Sequence, residues 1–387
     1  MRTPQLATRS VRLLAVPLLL AGVAAAVSPA ATAARTGSPG PAASFTVRGA
    51  VGGVAAVSAR DAWAVGFAGN PYSHKTLIVR WNGKTWKRVS SPSPGAEAGL
   101  NGVAATSASS AWAVGCTNCL TNASGKTLIL RWNGKTWKRV PSPGPAGSDL
   151  ASVAAVSARD AWAVGFISTG TGTGYRAKTL ILRWNGKTWK RVPSPSPGPD
   201  ASLGGVAATS ASGAWAVGTI SNGLGSVRTL IVRWNGKTWK RVPSPSPAGG
   251  AELHGVAAVS AGSAWAAGCS NSCGGISKTL ILRWNGRAWK RVPSPGPAGS
   301  LLNGVATVSA RRAWAVGYTF SGTGTGTHFK TMILRWDGKT WKRVPSPSGD
   351  VLAGVAVSAS SAWAVGFAGS FPNIRTLILR WNGKTWK

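Results

Sequence analysis

The chain has 387 residues, 44% of them hydrophobic, and sets 44 Lys and Arg against 8 Asp and Glu, a net charge of +36 at pH 7. The hydrophobic share excludes a disordered polycation, and the one-sided charge points to polyanionic partners rather than basic ones. Eight acids, three histidines and four cysteines leave little material for acid–base or metal chemistry.

At the N-terminus, Arg2, Arg9 and Arg12 precede an apolar run over residues 13–27 and the small residues Ala31-Thr32-Ala33. That order predicts a secretory signal peptide over residues 1–33, removed on export. The run is shorter than the ~20 residues that cross a bilayer, and Pro17 interrupts it. No integral membrane span is therefore expected after signal removal, and the mature protein is expected to be secreted, extracellular or cell-wall associated. Residues 34–48 form an N-terminal segment, in which Ser44-Phe45-Thr46-Val47 reads as a strand that closes the array following it.

Residues 49–387 are a sevenfold repeat. All 21 tryptophans fall into three sets of seven, typified by Trp63, Trp81 and Trp86, with the third set always five residues after the second. Such a period signals solenoids, propellers or arrays. Each repeat holds four strand-like runs, in the first repeat over residues 54–57, 62–65, 76–81 and 85–89. The last two are joined by Asn82-Gly83, which recurs in six repeats with Asp337-Gly338 in the other, so they form a hairpin. The first two runs are small and apolar on both faces, as inner strands packed between neighbouring sheets should be. The fourth is cationic and ends in Pro-Ser-Pro, the signature of a protected edge. Four strands per repeat and seven repeats predict an all-β, seven-bladed β-propeller with four antiparallel strands per blade, since a ring hides the apolar faces that an open row would expose. The chain is expected to be monomeric. Paired cysteines in repeats two and five, and Thr-Gly-Thr-Gly tracts in repeats three and six, mark duplication of a three-blade block.

The repeat Gly-Val-Ala-Ala-x-Ser-Ala-x-x-Ala-Trp-Ala-Val-Gly, then Thr-Leu-Ile-Leu-Arg-Trp-Asn-Gly-Lys-Thr-Trp-Lys-Arg-Val-Pro-Ser-Pro, resembles kelch and galactose-oxidase-like propellers over residues 49–387. Its Ala-Trp-Ala-Val-Gly segment is similar to tectonin repeats, whose propellers are often lectins. The resemblance implies a secreted bacterial seven-bladed propeller and glycans as one class of ligand. It places no family site residue on this chain.

The loops between second and third strands vary most, and their aromatics Tyr72, Tyr175, Tyr318, Phe320, Phe329 and Phe371 are candidates to stack on sugar rings or bases. The repeated tryptophans, fixed in every repeat, are assigned to packing between blades. Five cationic positions recur per repeat, as in Lys126, Arg131, Lys135, Lys138 and Arg139. The hairpin and outer strand supply the candidate polyanion-binding set: Lys84, Lys87, Arg88, Lys135, Lys138, Arg139, Lys187, Lys190, Arg191, Lys237, Lys240, Arg241, Arg287, Lys290, Arg291, Lys339, Lys342 and Arg343. Cys116 with Cys119, and Cys269 with Cys273, are expected to form two local disulfides. Blades two and five stand apart in a ring, so the four cysteines do not meet at one metal, and neither metal nor cofactor is expected.

Asp61 and Asp160 follow Arg in short turns, where a local structural role suffices. Glu97, Asp149, Asp200, Glu252 and Asp350 fall in links between blades and are the acids to watch, although no catalytic residue is assigned. The sequence thus favours an exported, non-enzymatic propeller that adheres to wall polymers, other polyanions or glycans. A scaffold for another exported protein is the second reading, and a polysaccharide hydrolase or lyase the third.

Overall fold

Each repeat folds into one antiparallel sheet. A computed structural model describes residues 45–70, 73–119, 124–169, 176–222, 227–271, 273, 276–322, 327–347, 349–358 and 361–387; residues 1–33, expected from the sequence to be a signal peptide, Tyr72 and Tyr175 lie outside the described residues. Blade one consists of β1 (Gly49–Ser58), β2 (Asp61–Asn70), β3 (Ser73–Trp81) and β4 (Trp86–Arg88), hydrogen-bonded in that order. Five further sheets repeat the order, and in blade seven Trp386 and Lys387 pair with Trp381 and Arg380 on the outer side of the third strand. The inner strands of successive blades touch all the way round, blade seven against blade one included. The protein is an all-β seven-bladed propeller, and no helix occurs among the described residues.

Local chemistry explains the repeat motif. The glycine of Ala-Trp-Ala-Val-Gly lies under a carbonyl of the inner strand: a Cβ on Gly66 would come within 2.0 Å of Ala50 O, and one on Gly165 within 1.9 Å of Asp149 O. Only glycine fits so close an approach. In the outer hairpin the turn spans four residues, with Trp81 paired to Trp86. Gly83 alone supplies the positive φ, at 95°, whereas Asn82 serves as acceptor, its Oδ1 taking the N–H groups of Lys84 and Thr85 at 2.9 Å.

The tryptophans join the blades. Trp63 of blade one inserts between Trp132 and Trp137 of blade two, with ring centroids at 5.0 and 5.1 Å and the second contact edge-on at 88°. The same triad forms at every junction and closes the ring where Trp363 meets Trp81 and Trp86 at 5.0 and 4.9 Å. Edge-to-face rings at this spacing attract beyond their buried area. The arginine of each Arg-Trp pair covers the triad: Arg80 lies 4.7 Å from the Trp63 centroid and 5.7 Å from that of Trp132, and Arg380 spans Trp81 and Trp363 at the closing junction.

The Pro-Ser-Pro exit folds back on the third strand, where Thr76 Oγ1 lies 2.9 Å from Ser91 Oγ and donates to Pro92 O at 3.1 Å. Thr179, Thr229 and Thr331 make the same pair of contacts. In blade seven the equivalent threonine, Thr376, is met by residues 45–47. Thr376 Oγ1 donates to Phe45 O and accepts from Val47 N–H, while Thr376 N–H donates to Val47 O.

Near the axis, side chains of the inner strands tie neighbouring blades. Asn101 Nδ2 donates to Asp149 Oδ1 at 3.0 Å and to Leu150 O at 2.9 Å, and Asn303 Nδ2 donates to Leu352 O at 2.8 Å. Burial pushes the Asp149 carboxyl up to about 7, the Glu97 charge adds to the rise, and the Leu150 and Asn101 hydrogen bonds oppose it.

Two consequences concern the closing junction. Trp363→Ala is expected to cost about 3–5 kcal/mol, as for other buried aromatic truncations, read by chemical denaturation. Deleting residues 34–48 is expected to lower Tm, because Thr376 then loses three hydrogen bonds; an unchanged melting curve would show that the ring closes without them. A third concerns pH. The raised value means that the folded chain holds the Asp149 proton more tightly than the unfolded chain, so the associated stability is complete below the ordinary value of 3.8 and is lost as pH rises through about 7. Asp149→Asn should therefore be more stable to chemical denaturation than the parent at pH 8.5, by on the order of a few kcal/mol, and the gap should narrow towards pH 5.

Candidate functional site

Antiparallel blades divide the turns between two ends. The first-to-second and third-to-fourth strand turns share the underside, where the Arg60 side chain lies against Gly83, Arg159 against Gly186 and Arg311 against Gly338. The second-to-third loops and the links between blades share the upper face.

On the rim and underside the recurring cations divide into three groups. The first position, at the head of the third strand, is held by the following link in blades one and three, where Lys75 Nζ donates to Gly95 O at 2.9 Å and Lys178 Nζ to Gly198 O at 3.3 Å. The second is the stacked arginine of each triad. The remaining three, in the hairpin turn and outer strand, are exposed at all eighteen positions named from the sequence, from Lys84, Lys87 and Arg88 in blade one to Lys339, Lys342 and Arg343 in blade six. The outer strand presents this pattern because its tryptophan turns inward and its next two residues turn out.

Three acids lie on this side, and all are engaged. Asp61 and Asp160 grip Arg80 and Arg183 through both carboxylate oxygens, at 2.8 and 3.1 Å to Nε. Asp337 takes the place of the hairpin asparagine and pairs with Lys342 Nζ at 2.9 Å. The N–H of Thr340, Lys342 and the N–H of Lys339 hold the Asp337 carboxyl well below the usual carboxylate range. The underside and rim are thus cationic with their few carboxylates already paired.

The other five acids lie on the upper face. Asp200 accepts the Ala177 N–H at 3.1 Å, and Asp350 accepts that of Gly369, although burial pushes the Asp350 carboxyl up. Glu97 accepts the Cys119 N–H at 2.8 Å, beside the Cys116–Cys119 disulfide. The second disulfide joins Cys269 to Cys273. Around it gather Glu252 and His254, with His254 Nε2 3.5 Å from Glu252 Oε2 and His254 Nδ1 2.9 Å from Leu302 O.

The candidate aromatics take different surroundings. Tyr318, at 3% exposure, packs with Phe329 at 5.4 Å and with Phe320 at 6.1 Å, in a cluster that includes Cys269, Leu301 and Val351. Phe320 and Phe329 are half-buried at its margin, and Phe371 is half-buried in the loop of the next blade. The structure therefore brings three of the six together as a small core that offers phenylalanine edges, with the tyrosine ring inside. Sequence reasoning missed Asn101 and His254. Both sit at the irregular pairing step of an inner strand, and the signal that finds them is that step: the register shifts between Leu100 and Gly102 and between Leu253 and Gly255.

No family model matches the chain, and no characterised protein matches it in sequence. Among solved structures it is similar to one titled YCF48 bound to D1 peptide, at 15% identity and TM-score 0.52, over 87% of this chain and 98% of that one. It is similar to the WD40 β-propeller domain of Doa1, at 13% identity and TM-score 0.53, over 87% and 96%. It is also similar to the GH74 xyloglucanase from Xanthomonas campestris, at 16% identity and TM-score 0.56, over 89% of this chain and 55% of that one. At such identities the likeness carries the propeller fold alone, a scaffold shared here by a peptide-bound protein and a glycosidase.

Proposed function

We propose that this is an exported, non-enzymatic propeller that adheres to polyanions, such as anionic wall polymers or acidic glycans, through its rim and underside. The observation that supports it is the segregation of charge: three exposed cations per blade in six blades, on a side whose acids are all in ion pairs. Edge protection alone requires some charge on outer strands, but it does not require carboxylates to be so few. Evenly repeated cations on a rigid ring suit a flexible polymer of repeating negative charge, since many weak contacts add along one chain. In this reading the upper loops confer selectivity and the rim confers affinity.

A second reading, a scaffold for another exported protein, draws on the half-buried Phe320 and Phe329 of the upper face and on the peptide-bound propeller it resembles in fold. It uses the opposite face, so the two readings separate cleanly.

Retention of the purified protein on DNA, on a polyphosphate-backbone polymer and on an anionic polysaccharide, measured at rising salt, tests the proposal. Affinity should fall linearly in log–log form, with a slope steepened by about 0.7 to 0.9 for each phosphate neutralised. Replacing Lys87, Arg88, Lys138 and Arg139 by Gln should flatten the slope without lowering Tm, as these side chains are exposed. Binding indifferent to salt, or no binding to any of the three, would overturn it.

A further inference from the structure

The sequence leads to no expected metal, yet the upper face gathers ligand types around each disulfide. In blade five, Glu252 and Cys269 are directly opposed across the first strand pair, and His254 follows two residues later. One ligand atom from each of Glu252, His254 and Cys269 lies within 4.8 Å of the others. Cys269 is fully buried, and the side chains of Glu252 and His254 are 12% and 19% exposed.

The tautomer of His254 sharpens this. Its Nδ1 faces a carbonyl oxygen, which accepts and never donates, so Nδ1 carries the hydrogen. In the neutral ring Nε2 then presents a lone pair, and what it faces, at 3.5 Å, is a carboxylate oxygen. A contact of this kind is bridged either by a proton on Nε2, as an ion pair, or by a cation held between the two atoms. Two ligands about 2.0 to 2.1 Å from one tetrahedral ion lie about 3.3 to 3.4 Å apart, close to the separation seen. An Nδ1–H held by a backbone carbonyl is also the usual support for a histidine that ligates through Nε2.

Blade two carries the corresponding group with its acid moved. Gly99 stands opposite Cys116, where Glu252 stands opposite Cys269, and the carboxylate comes instead from Asp149 of blade three, within 4.8 Å of both Cys116 and Cys119 sulfurs. Asn101 reaches Leu150 O there as His254 reaches Leu302 O in blade five. The strand that supplies the acid differs while a cysteine beside a carboxylate is kept, in a chain with only 8 acids.

We infer that, in the dithiol state, each cysteine pair holds a soft divalent cation of the zinc type: Cys269, Cys273, His254 and Glu252 as a complete tetrahedral set in blade five, and Cys116, Cys119 and Asp149 as a three-ligand set in blade two. Thiolate pairs with imidazole or carboxylate select zinc over harder ions. The disulfides are the metal-free, oxidised form. A low-molecular-weight disulfide RSSR interconverts the two: the paired thiolates lose two electrons and form their S–S bond, RSSR gains them and leaves as two RS−, and the cation is released.

The test uses the purified chain, reduced anaerobically with a water-soluble phosphine, desalted and titrated with Co2+ as a spectroscopic substitute for Zn2+. Thiolate-to-cobalt absorption with tetrahedral d–d bands is expected at both sites, tighter at blade five, and Zn2+ should displace it. His254→Ala and Glu252→Gln should each weaken the tighter site at least about tenfold and leave the other unchanged, whereas Asp149→Asn should do the reverse. Tryptophan fluorescence and the Zn2+-induced rise in Tm of each reduced variant show that the ring is intact. Absence of the charge-transfer band, or a band that all three substitutions leave unaltered, would overturn the inference. The latter outcome would mean adventitious binding by free thiols, with His254 and Glu252 forming only an ion pair.

Discussion

The indole triad between blades is the contact on which the rest of the molecule depends. A four-stranded blade of Ala, Gly and Val has two apolar faces and cannot hide either by itself. One large side chain from the second strand, set between two from the neighbour's outer hairpin, fills the wedge that widens from axis to rim. Seven of them make stability a property of junctions, and the closing junction carries the same triad as the other six. All seven third-set indole N–H groups lack a hydrogen-bond partner among the buried groups described, so area and ring geometry must outweigh that loss. The stacked arginine adds a cation on the ring faces and seals the wedge from water.

That constraint also fixes where charge can go. The outer hairpin must turn two tryptophans inward and lay one arginine over them, which leaves the turn residue and two strand positions facing solvent. In blades one and three the lysine at the head of the third strand is drawn to the link carbonyls. What remains exposed in the hairpin and outer strand is three cations in each of blades one to six, with Lys342 already paired to Asp337. The net charge of the sequence overstates the ligand-facing charge, and the structure says by which residues.

Much of the fold was legible because its signals are local or periodic. Three tryptophan sets, the Asn-Gly hairpin and the count of four runs define blade and ring without long-range information. The four-residue form of the turn was not legible, since Asn82 acts through its side-chain oxygen where a two-residue turn would use its φ. Residues that act across a junction were equally hidden. Nothing in the spacing of Asn101 and Asp149, 48 apart, tells that they bond, and the loop aromatic Tyr318 reads as exposed until its neighbours fold over it. The cysteine pairing was legible from its short spacing, but the company those cysteines keep depends on strand register, which a single irregular step resets.

The distribution of acids carries the argument one step further. In a chain this cationic, the lowest-energy place for a carboxylate is beside a guanidinium or ammonium, and Asp61, Asp160 and Asp337 are there. Asp200, Glu97 and Asp350 instead take backbone N–H groups where the links turn, a demand that local geometry imposes. Glu252 fits neither description, and Asp149 takes a backbone hydrogen bond from Leu150 but only at the cost of full burial. Asp149 is buried at a cost visible in its raised carboxyl, with an asparagine and a disulfide for neighbours, and Glu252 faces an imidazole across the second disulfide. Neither is needed to hold its blade, as Gly99 and Leu301 occupy the matching strand positions of blades two and six. Carboxylates retained where packing prefers an apolar residue and charge balance prefers the opposite face are the least economical in the molecule, and that is why the upper face beside the cysteines, rather than the conspicuous tryptophans, is where chemistry beyond adhesion is to be sought.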